Sequence, residues 1–384
     1  MGQIEGRNCD VLFHATRNLL CRDPRDKIFS LMGMAPWLRS MDTDYSSTLE
    51  EVHRAATFAT LVHQENLDLL AKISALYTST SPRPGSSWAL NFHEKHRPST
   101  WSLHCASSSD CFDAAAGAPI VLRRRASEVL GLSGLKISSI HATGPTWVAL
   151  TNDVAYATED GEYIQMPQFN RIAQHRAKQL QGWQDFLNVS TDVLWDHMLI
   201  GVMPNRLRSE TSYEYKDIRR LTAVDHEKLH GAFCGRSPES DRDLSKVFDE
   251  KMARTIDDAP NGSRPLKLWW GFSAVGPAYS RVGDVVFVLG GSTIPYVLRP
   301  SPCGRCDYYT LVGPAYVHNA MDGQFVRIAS QLKNPESGGA KEVQELLTKH
   351  QGLEAKADEE EATFNEMRRL VDSGSPVFQD VYLV

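Results

Sequence analysis

The pattern of apolar and polar positions predicts a short helix near the start of the chain. Residues 21–36 read CRDPRDKIFSLMGMAP, with a charged cluster directly before an apolar run. Asp23 is a suitable N-cap, Pro24 suits the first helical position, and Gly33 stands where a left-handed C-cap is expected. We therefore interpret the charges as the opening of a helix and not as an active site.

A longer helix is predicted next. Ser47 and Glu50 have the spacing of a capping box, and apolar residues then recur at helical intervals to about residue 64. The apolar stretch 67–76 is ambiguous between helix and strand. Farther on, helical periodicity returns between 168 and 256, with predicted helices at 168–187, 190–201, 213–232 and 241–256.

Short β-branched runs separated by glycine and proline predict strands in two regions. The first region is 120–150. The second is a meander of antiparallel strands at 284–289, 294–299 and 308–313, with Gly290-Gly291-Ser292-Thr293 as a turn. A long charged helix is predicted at 340–371.

These elements predict an α+β fold with helices at the N-terminal end and in the middle, a small antiparallel β-meander near 283–330 and a long C-terminal helix. We expect one or two compact domains in all. The expected segments are an N-terminal helical one at 1–76, a loop- and strand-rich one at 77–167, a helical one at 168–256, the meander at 257–330, and the C-terminal helix and tail at 331–384.

Charge and cysteine content narrow the class of partner. The formal net charge is −6, which provides no global positive field, so we expect neither nucleic acid nor a membrane surface as a partner. The first residues lack the apolar segment of a signal peptide, and no stretch approaches the about 18 apolar residues that span a bilayer. The 7 cysteines are odd in number and scattered, which favours reduced thiols and a cytoplasmic location.

HEKLH, at residues 226–230, is the strongest match to a catalytic motif. On a helix, His226 and His230 share a face and can bind one Zn²⁺, with Glu227 as the base that activates its water and Glu250 as a third ligand. The alternative is an ordinary surface helix. No cofactor is expected otherwise, and zinc only if this motif binds it.

Two other motifs have plainer interpretations. Cys303 and Cys306 form a lone CxxC in a loop between predicted strands, and no second pair with metal-site spacing accompanies them. The glycine pair at 290–291 lacks the lysine and the following helix of a phosphate loop, which leaves a hairpin turn.

YVHNAMDGQF, at residues 316–325, supplies the remaining candidates. Tyr316, His318 and Asp322 are polar groups around a predicted turn, and an imidazole titrates near neutral pH, so His318 is the candidate acid or base. Asp284 and Arg299 lie at strand ends nearby and are expected to pair. The alternative for all five is that they satisfy one another and the backbone within a compact β-subdomain.

Several of these stretches resemble fungal heterokaryon-incompatibility (HET) proteins. DPRDKIFSLMGMA and DTDYSSTLEEVHRAAT resemble the segment that follows the family's conserved domain, and RPGSSWALNF is similar to its PSW element. GFSAVGPAYSRVGDVVFVLGGSTIPYVLRP and YYTLVGPAYVHNAMDGQ are similar to its closing pattern, with Asn319 where a glycine is usual. The family's N-terminal signalling block is not found, so the resemblance implies a fungal origin and the fold of the C-terminal region.

Three functional hypotheses follow. The resemblance favours a HET-related protein without the signalling block that recognises or regulates a fungal protein partner through protein contacts. The alternative is a small-molecule tailoring enzyme, of cyclase or isomerase type, in fungal secondary metabolism, acting on a metabolite through shape and one acid–base group. The third hypothesis is a zinc hydrolase that uses HEKLH. Whether the protein is an enzyme stays open at this point.

Overall fold

The computed structural model describes most of the chain. The described residues are 21–73, 85–90, 105, 111–126, 128–148, 166–199, 201–206, 216–226, 229, 259–302, 307–332 and 377–384. Within these ranges no helix combines the length and the apolarity needed to cross a membrane.

Helices gather in the N-terminal part and in the middle of the chain, as predicted. The α-helices are α1 (Asp26–Phe29), α2 (Leu49–Gln64), α3 (Asp68–Ile73), α4 (Met166–Leu187), α5 (Thr191–Leu199) and α6 (Gln324–Leu332). Two 3₁₀ helices, Ser30–Gly33 and Pro36–Ser40, follow α1, and a third, Trp269–Gly271, lies between strands.

The start of α2 is displaced by one residue from the predicted capping box. Thr48, not Ser47, is the N-cap, and its partner is Glu51, not Glu50. The Ser47 hydroxyl donates to Asp44 Oδ2 at 2.9 Å, so the turn before the helix already uses the side chain that was expected to cap it.

The predicted caps of the first helix are also corrected. The Asp23 carboxylate accepts from the backbone N–H of Arg25 at 2.9 Å, but Arg25 is the N-cap of α1 and uses no side chain there. Gly33 ends a 3₁₀ turn without the positive φ of a left-handed cap. Arg39 donates instead to the carbonyl groups of Met32 and Gly33, at 3.2 and 3.3 Å.

Eleven strands are assigned within the described ranges. They are β1 (Arg123–Ala126), β2 (Val129–Thr143), β3 (Val202–Arg206), β4 (Lys216–Arg220), β5 (Ser263–Leu268), β6 (Ser273–Pro277), β7 (Val285–Leu289), β8 (Tyr296–Pro300), β9 (Tyr308–Pro314), β10 (Tyr316–Val317) and β11 (Gln379–Leu383). Strands β3 and β4 form a separate antiparallel pair, and the other nine form one sheet.

The predicted meander is part of a closed ring of strands. Strands β7, β8 and β9 pair antiparallel in sequence order, as expected. Strand β9 then pairs parallel with β11, β11 pairs antiparallel with β2, and β2 pairs antiparallel with β7. Five strands therefore close on one another. The far end of the long β2 pairs with β5, which continues the sheet through β6 to β10, and β1 pairs with the start of β2. The sheet is larger than the small meander that the sequence predicted.

Backbone and side-chain contacts join segment 85–90 to the ring. The backbone N–H of Ser87 donates to the carbonyl oxygen of Val384 at 2.9 Å, and its hydroxyl accepts from the backbone N–H of Leu311 at 3.0 Å. Trp88, almost fully buried, donates from its indole to the carbonyl oxygen of Glu128 at 3.0 Å. These bonds hold the end of β11 and the start of β2 in place.

Other predictions for the helical regions have mixed outcomes. Helices α4 and α5 confirm those predicted at 168–187 and 190–201. The helix predicted at 213–232 is wrong over Lys216–Arg220, because this segment pairs with Val202–Arg206 as β4. The predicted long helix at 340–371 lies outside the described residues, as do the helix at 241–256 and the CxxC pair.

The turn between β7 and β8 gives a test of backbone strain. Gly291 has φ +80°, and a Cβ added there would lie 2.5 Å from Ile120 Cβ. We expect Gly291→Ala to lower the free energy of unfolding by about 2 kcal/mol, from the left-handed backbone and from this overlap together. The control is Gly283→Ala: Gly283 has φ +92° and open space around it, so about 1 kcal/mol is expected. Urea unfolding measures the loss of stability in both variants. Equal losses in Gly291→Ala and Gly283→Ala would show that the overlap with Ile120 adds nothing.

Candidate functional site

The candidate residues Tyr316 and His318 lie together where β10 meets the turn that follows. Their side chains are in contact, with the Tyr316 hydroxyl 3.2 Å from His318 Nδ1. The turn is held by Asn319, which stands where the resembled motif has glycine and takes a left-handed φ of 57°. Asparagine tolerates this conformation better than most residues, so the substitution preserves the turn.

The carboxylate of Asp196, on α5, lies between two imidazoles. Its Oδ1 accepts from His226 Nε2 at 2.9 Å, and its Oδ2 lies 3.9 Å from His318 Nδ1. All three side chains are largely buried. Burial raises the pKa of Asp196 above its usual value, and the hydrogen bond from His226 offsets part of that rise. The carboxylate thus joins α5, the helical turn 223–226 and the turn after β10.

His197, the next residue of α5, forms the back wall of the cluster. The ring is fully buried, and its Nδ1 donates to the carbonyl oxygen of Val193 at 2.6 Å. It stacks on His318 with ring centres 5.3 Å apart and meets the Tyr316 ring edge-on at 5.4 Å. Burial lowers the pKa of His197 to about 4, although the backbone of Val193 and Ser273 opposes this shift. The ring is therefore neutral near pH 7.

The third candidate, Asp322, is engaged by a different partner. Arg220, at the end of β4, forms a two-pronged ion pair with this carboxylate, with Nη1 2.8 Å from Oδ2. The same guanidinium donates to the carbonyl oxygen of Cys111 and lies over the Phe112 ring at 4.9 Å. Asp322 thus anchors β4 to the turn after β10 and is no part of the hydrogen-bonded group around Asp196.

The hydroxyl of Tyr316 lies within hydrogen-bond reach of an imidazole in this arrangement. Burial raises the pKa of Tyr316 well above its usual value, and the charge of Asp196 adds to the rise. The hydroxyl therefore stays protonated and serves as a hydrogen-bonding group for His318. The carboxylate, the imidazoles and the phenol form a buried polar network, in which His197 Nε2 makes no close hydrogen bond to the described residues. We call Asp196, His197, His226, Tyr316 and His318 the polar cluster.

Only one residue of the predicted zinc site lies within the described part of the chain. His226 is directed to Asp196, as above, whereas Glu227, His230 and Glu250 lie outside the described residues. Among the residues that are described, no group of three or more histidine, cysteine, aspartate or glutamate side chains is arranged to hold a metal ion. The zinc hypothesis gains no support from this geometry.

Sequence reasoning missed three of the participating residues, namely Asp196, His197 and Arg220. A signal for the first two was present in α5, which reads TDVLWDHML. Leu194, Trp195, Met198 and Leu199 are buried there, and Asp196 and His197 interrupt this apolar surface. Polar residues within an apolar stripe need buried partners. Arg220 carried no such signal, because its partner is about a hundred residues away.

Comparison with known proteins finds a family match for the part of the chain that contains Tyr316 and His318. Residues 240–333 match the family described as the Het-6 beta-barrel domain. A segment of 88 residues is 39% identical to heterokaryon incompatibility protein 6, OR allele, of Neurospora crassa, and covers 23% of this chain. The matched part of the chain is thus similar to the C-terminal region of HET-family proteins. This confirms the resemblance that the sequence motifs indicated.

The match to HET proteins covers only part of this chain and a small part of its relative. The aligned segment spans 13% of the length of the Neurospora protein. No solved structure matches the chain. Strands β5 to β10 fall within the matched residues, whereas β2 and β11, which close the ring, lie outside them. The five-strand ring, which we call the barrel, is therefore completed by segments outside the matched residues.

Proposed function

We propose that this HET-related fungal protein is a recognition or regulatory protein that acts through contacts with another protein. One observation carries the proposal: the polar residues of its closing HET motif are used within the fold. Tyr316 and His318 bond to each other beside Asp196, and Asp322 is held by Arg220. These groups join α5 and β4 to β10 and the turn that follows it, so we assign the function to the outer surface of the protein.

The test measures partner binding and turnover in the same samples. Tagged wild-type protein and a Tyr316→Phe variant are expressed in a filamentous fungus and cross-linked before purification. The variant removes the hydroxyl from the polar cluster and keeps the ring. We expect a stoichiometric partner protein with both forms, because the proposal gives Tyr316 a structural role.

The opposite result is equally specific. A solitary wild-type protein that converts a component of a fungal metabolite extract, with the conversion lost in Tyr316→Phe, would overturn the proposal. It would favour a catalytic role for the phenol and for His318. No observation on the described residues favours the tailoring-enzyme alternative at present.

A further inference from the structure

Helix α2 is apolar on two sides, and the second side borders a groove. Its core face includes Ala56 and Leu61, which are fully buried. A second stripe, Ala55, Ala59 and Val62, lines an open groove of about 860 Å³ together with the half-buried Phe58. Val52 and Trp37 also line the groove but are buried, at 4% and 9% exposed. Val62 is 50% exposed, so part of this apolar surface meets solvent. A contiguous apolar strip on a surface helix is typical of an interaction site.

One wall of the groove is a stacked aromatic pair. Trp37, from the 3₁₀ helix Pro36–Ser40, lies parallel to His63 of α2, with ring centres 4.8 Å apart and planes inclined by 6°. The indole Nε1 of Trp37 is buried without a hydrogen-bond partner in the described structure. Because the two rings are parallel, the wall that they form is flat, and it lies beside the apolar stripe.

The rim of the groove is acidic. Four carboxylates and one guanidinium line the groove. The carboxylates are Asp42, Asp44, Glu51 and Glu65, and the guanidinium is that of Arg124. Hydrogen bonds from Ser46 and Ser47 lower the pKa of Asp44, and those from Thr48 lower the pKa of Glu51, so both stay ionised over the physiological range. An anionic ligand or membrane surface is disfavoured here, and a cationic one is favoured.

We propose that this groove binds a basic amphipathic helix of a partner protein. The partner's apolar face lies on the α2 stripe, and lysine or arginine residues beside that face meet the acidic rim. From Ala55 to Val62 the accessible stripe is about 10 Å long, the length of about two helical turns. An apolar groove that receives the i, i+3/i+4 and i+7 side chains of a helix is a common mode of peptide recognition. This inference rests on the proposed function and names its surface and the chemistry of its partner.

The experiment measures binding of a defined probe to the full chain. The probe is a synthetic labelled peptide of about 18 residues, long enough to be helical, with leucines on one face and lysines beside them. A control peptide has glutamate in place of lysine. Fluorescence anisotropy is expected to show the basic peptide binding at least tenfold more tightly, with an affinity that falls as salt is added.

Protein variants locate the probe on the surface. Val62→Lys places a charge in the stripe and is expected to weaken binding at least tenfold. Asp42→Asn with Glu65→Gln neutralises two rim carboxylates and is expected to weaken it about fivefold. Val282→Lys is the matched control, because Val282 is 64% exposed and lies outside the groove. Asp44 and Glu51 are left unchanged, because their side chains bond the turn and the cap before α2.

Several results would overturn the proposal. Equal affinity for the two peptides would show that the acidic rim does not contribute to binding. Equal losses of peptide affinity in Val62→Lys and Val282→Lys would show that the probe does not bind in the groove. Self-association that Val62→Lys abolishes, measured by light scattering, would show that a second copy of the chain covers the groove. A fungal partner that Val62→Lys still captures would leave the proposed function standing and refute only this surface. Absence of any partner of the wild type would refute the proposed function itself.

Discussion

Replacing Asp284 by alanine is expected to lower the free energy of unfolding by about 3 kcal/mol. The side chain is almost fully buried at the start of β7 and accepts from Arg299 Nε at 2.8 Å and from Arg299 Nη2 at 3.0 Å. It also accepts from the backbone N–H of Arg281 at 2.8 Å. Removing it leaves a partly buried guanidinium and a backbone donor without this acceptor. Both then carry a desolvation cost, which the remaining bond from Arg299 Nη2 to the carbonyl oxygen of Tyr279 offsets only in part.

An exposed ion pair of the same chemistry is the control for Asp284→Ala. Arg123 and Asp380 join β1 to β11 at 2.7 Å, with about half of each side chain exposed. Asp380→Ala is expected to change stability by less than about 1 kcal/mol, since water replaces the lost contact. Chemical denaturation of both variants measures the difference. Similar small losses would show that the Asp284 pair contributes little to the barrel.

Acidification is expected to destabilise the protein through His197. Its folded pKa is about 4, below the ordinary value of 6.5, because the ring is buried. Between pH 6.5 and about pH 4, His197 is protonated in the unfolded chain but stays neutral in the folded chain. Stability is therefore lost as pH falls through this window, by about 2 kcal/mol at pH 5 and about 3 kcal/mol in full.

The variant His197→Phe isolates this contribution. Phenylalanine keeps the ring that packs on Tyr316 and His318 but does not titrate, so we expect the loss of stability between pH 7 and pH 5 to shrink by about 2 kcal/mol. Asp196, His226 and His318 lie nearby in both proteins, so the difference between the two stability curves reports on position 197. Met198→Leu, at a buried neighbour on α5, is the control that should keep the wild-type slope. Parallel stability curves for wild type and His197→Phe would contradict the assignment.

Local patterns predicted the strands and turns of the C-terminal region well. The glycine pair at 290–291 sits between two apolar runs, and Gly291 takes the positive φ that such a turn requires. The pairing of Asp284 with Arg299 was also expected, since both lie at the ends of neighbouring strands. These features depend on residues close together in the chain, so periodicity and turn chemistry are sufficient to find them.

Features that depend on competition between partners were not predictable. Ser47 and Thr48 are both suitable caps, and the choice of Thr48 follows from the hydroxyl contact between Ser47 and Asp44. The segment Lys216–Arg220 has a helical pattern yet forms a strand, because Val202–Arg206 offers it a pairing edge. Tertiary context overrides local preference in such cases.

The amino-acid sequence alone determined that this is an α+β protein with a HET-like closing region, and where the meander strands and the main helices lie. It also identified Tyr316, His318 and Asp322 as candidate site residues. The tertiary structure alone decided that β2 and β11 close the ring and that Asp196, His197 and Arg220 join those candidates. Strand pairing across a hundred residues runs through backbone hydrogen bonds, which are the same for every side chain. A buried carboxylate meets its imidazoles only once distant elements have packed, so no local pattern encodes that contact.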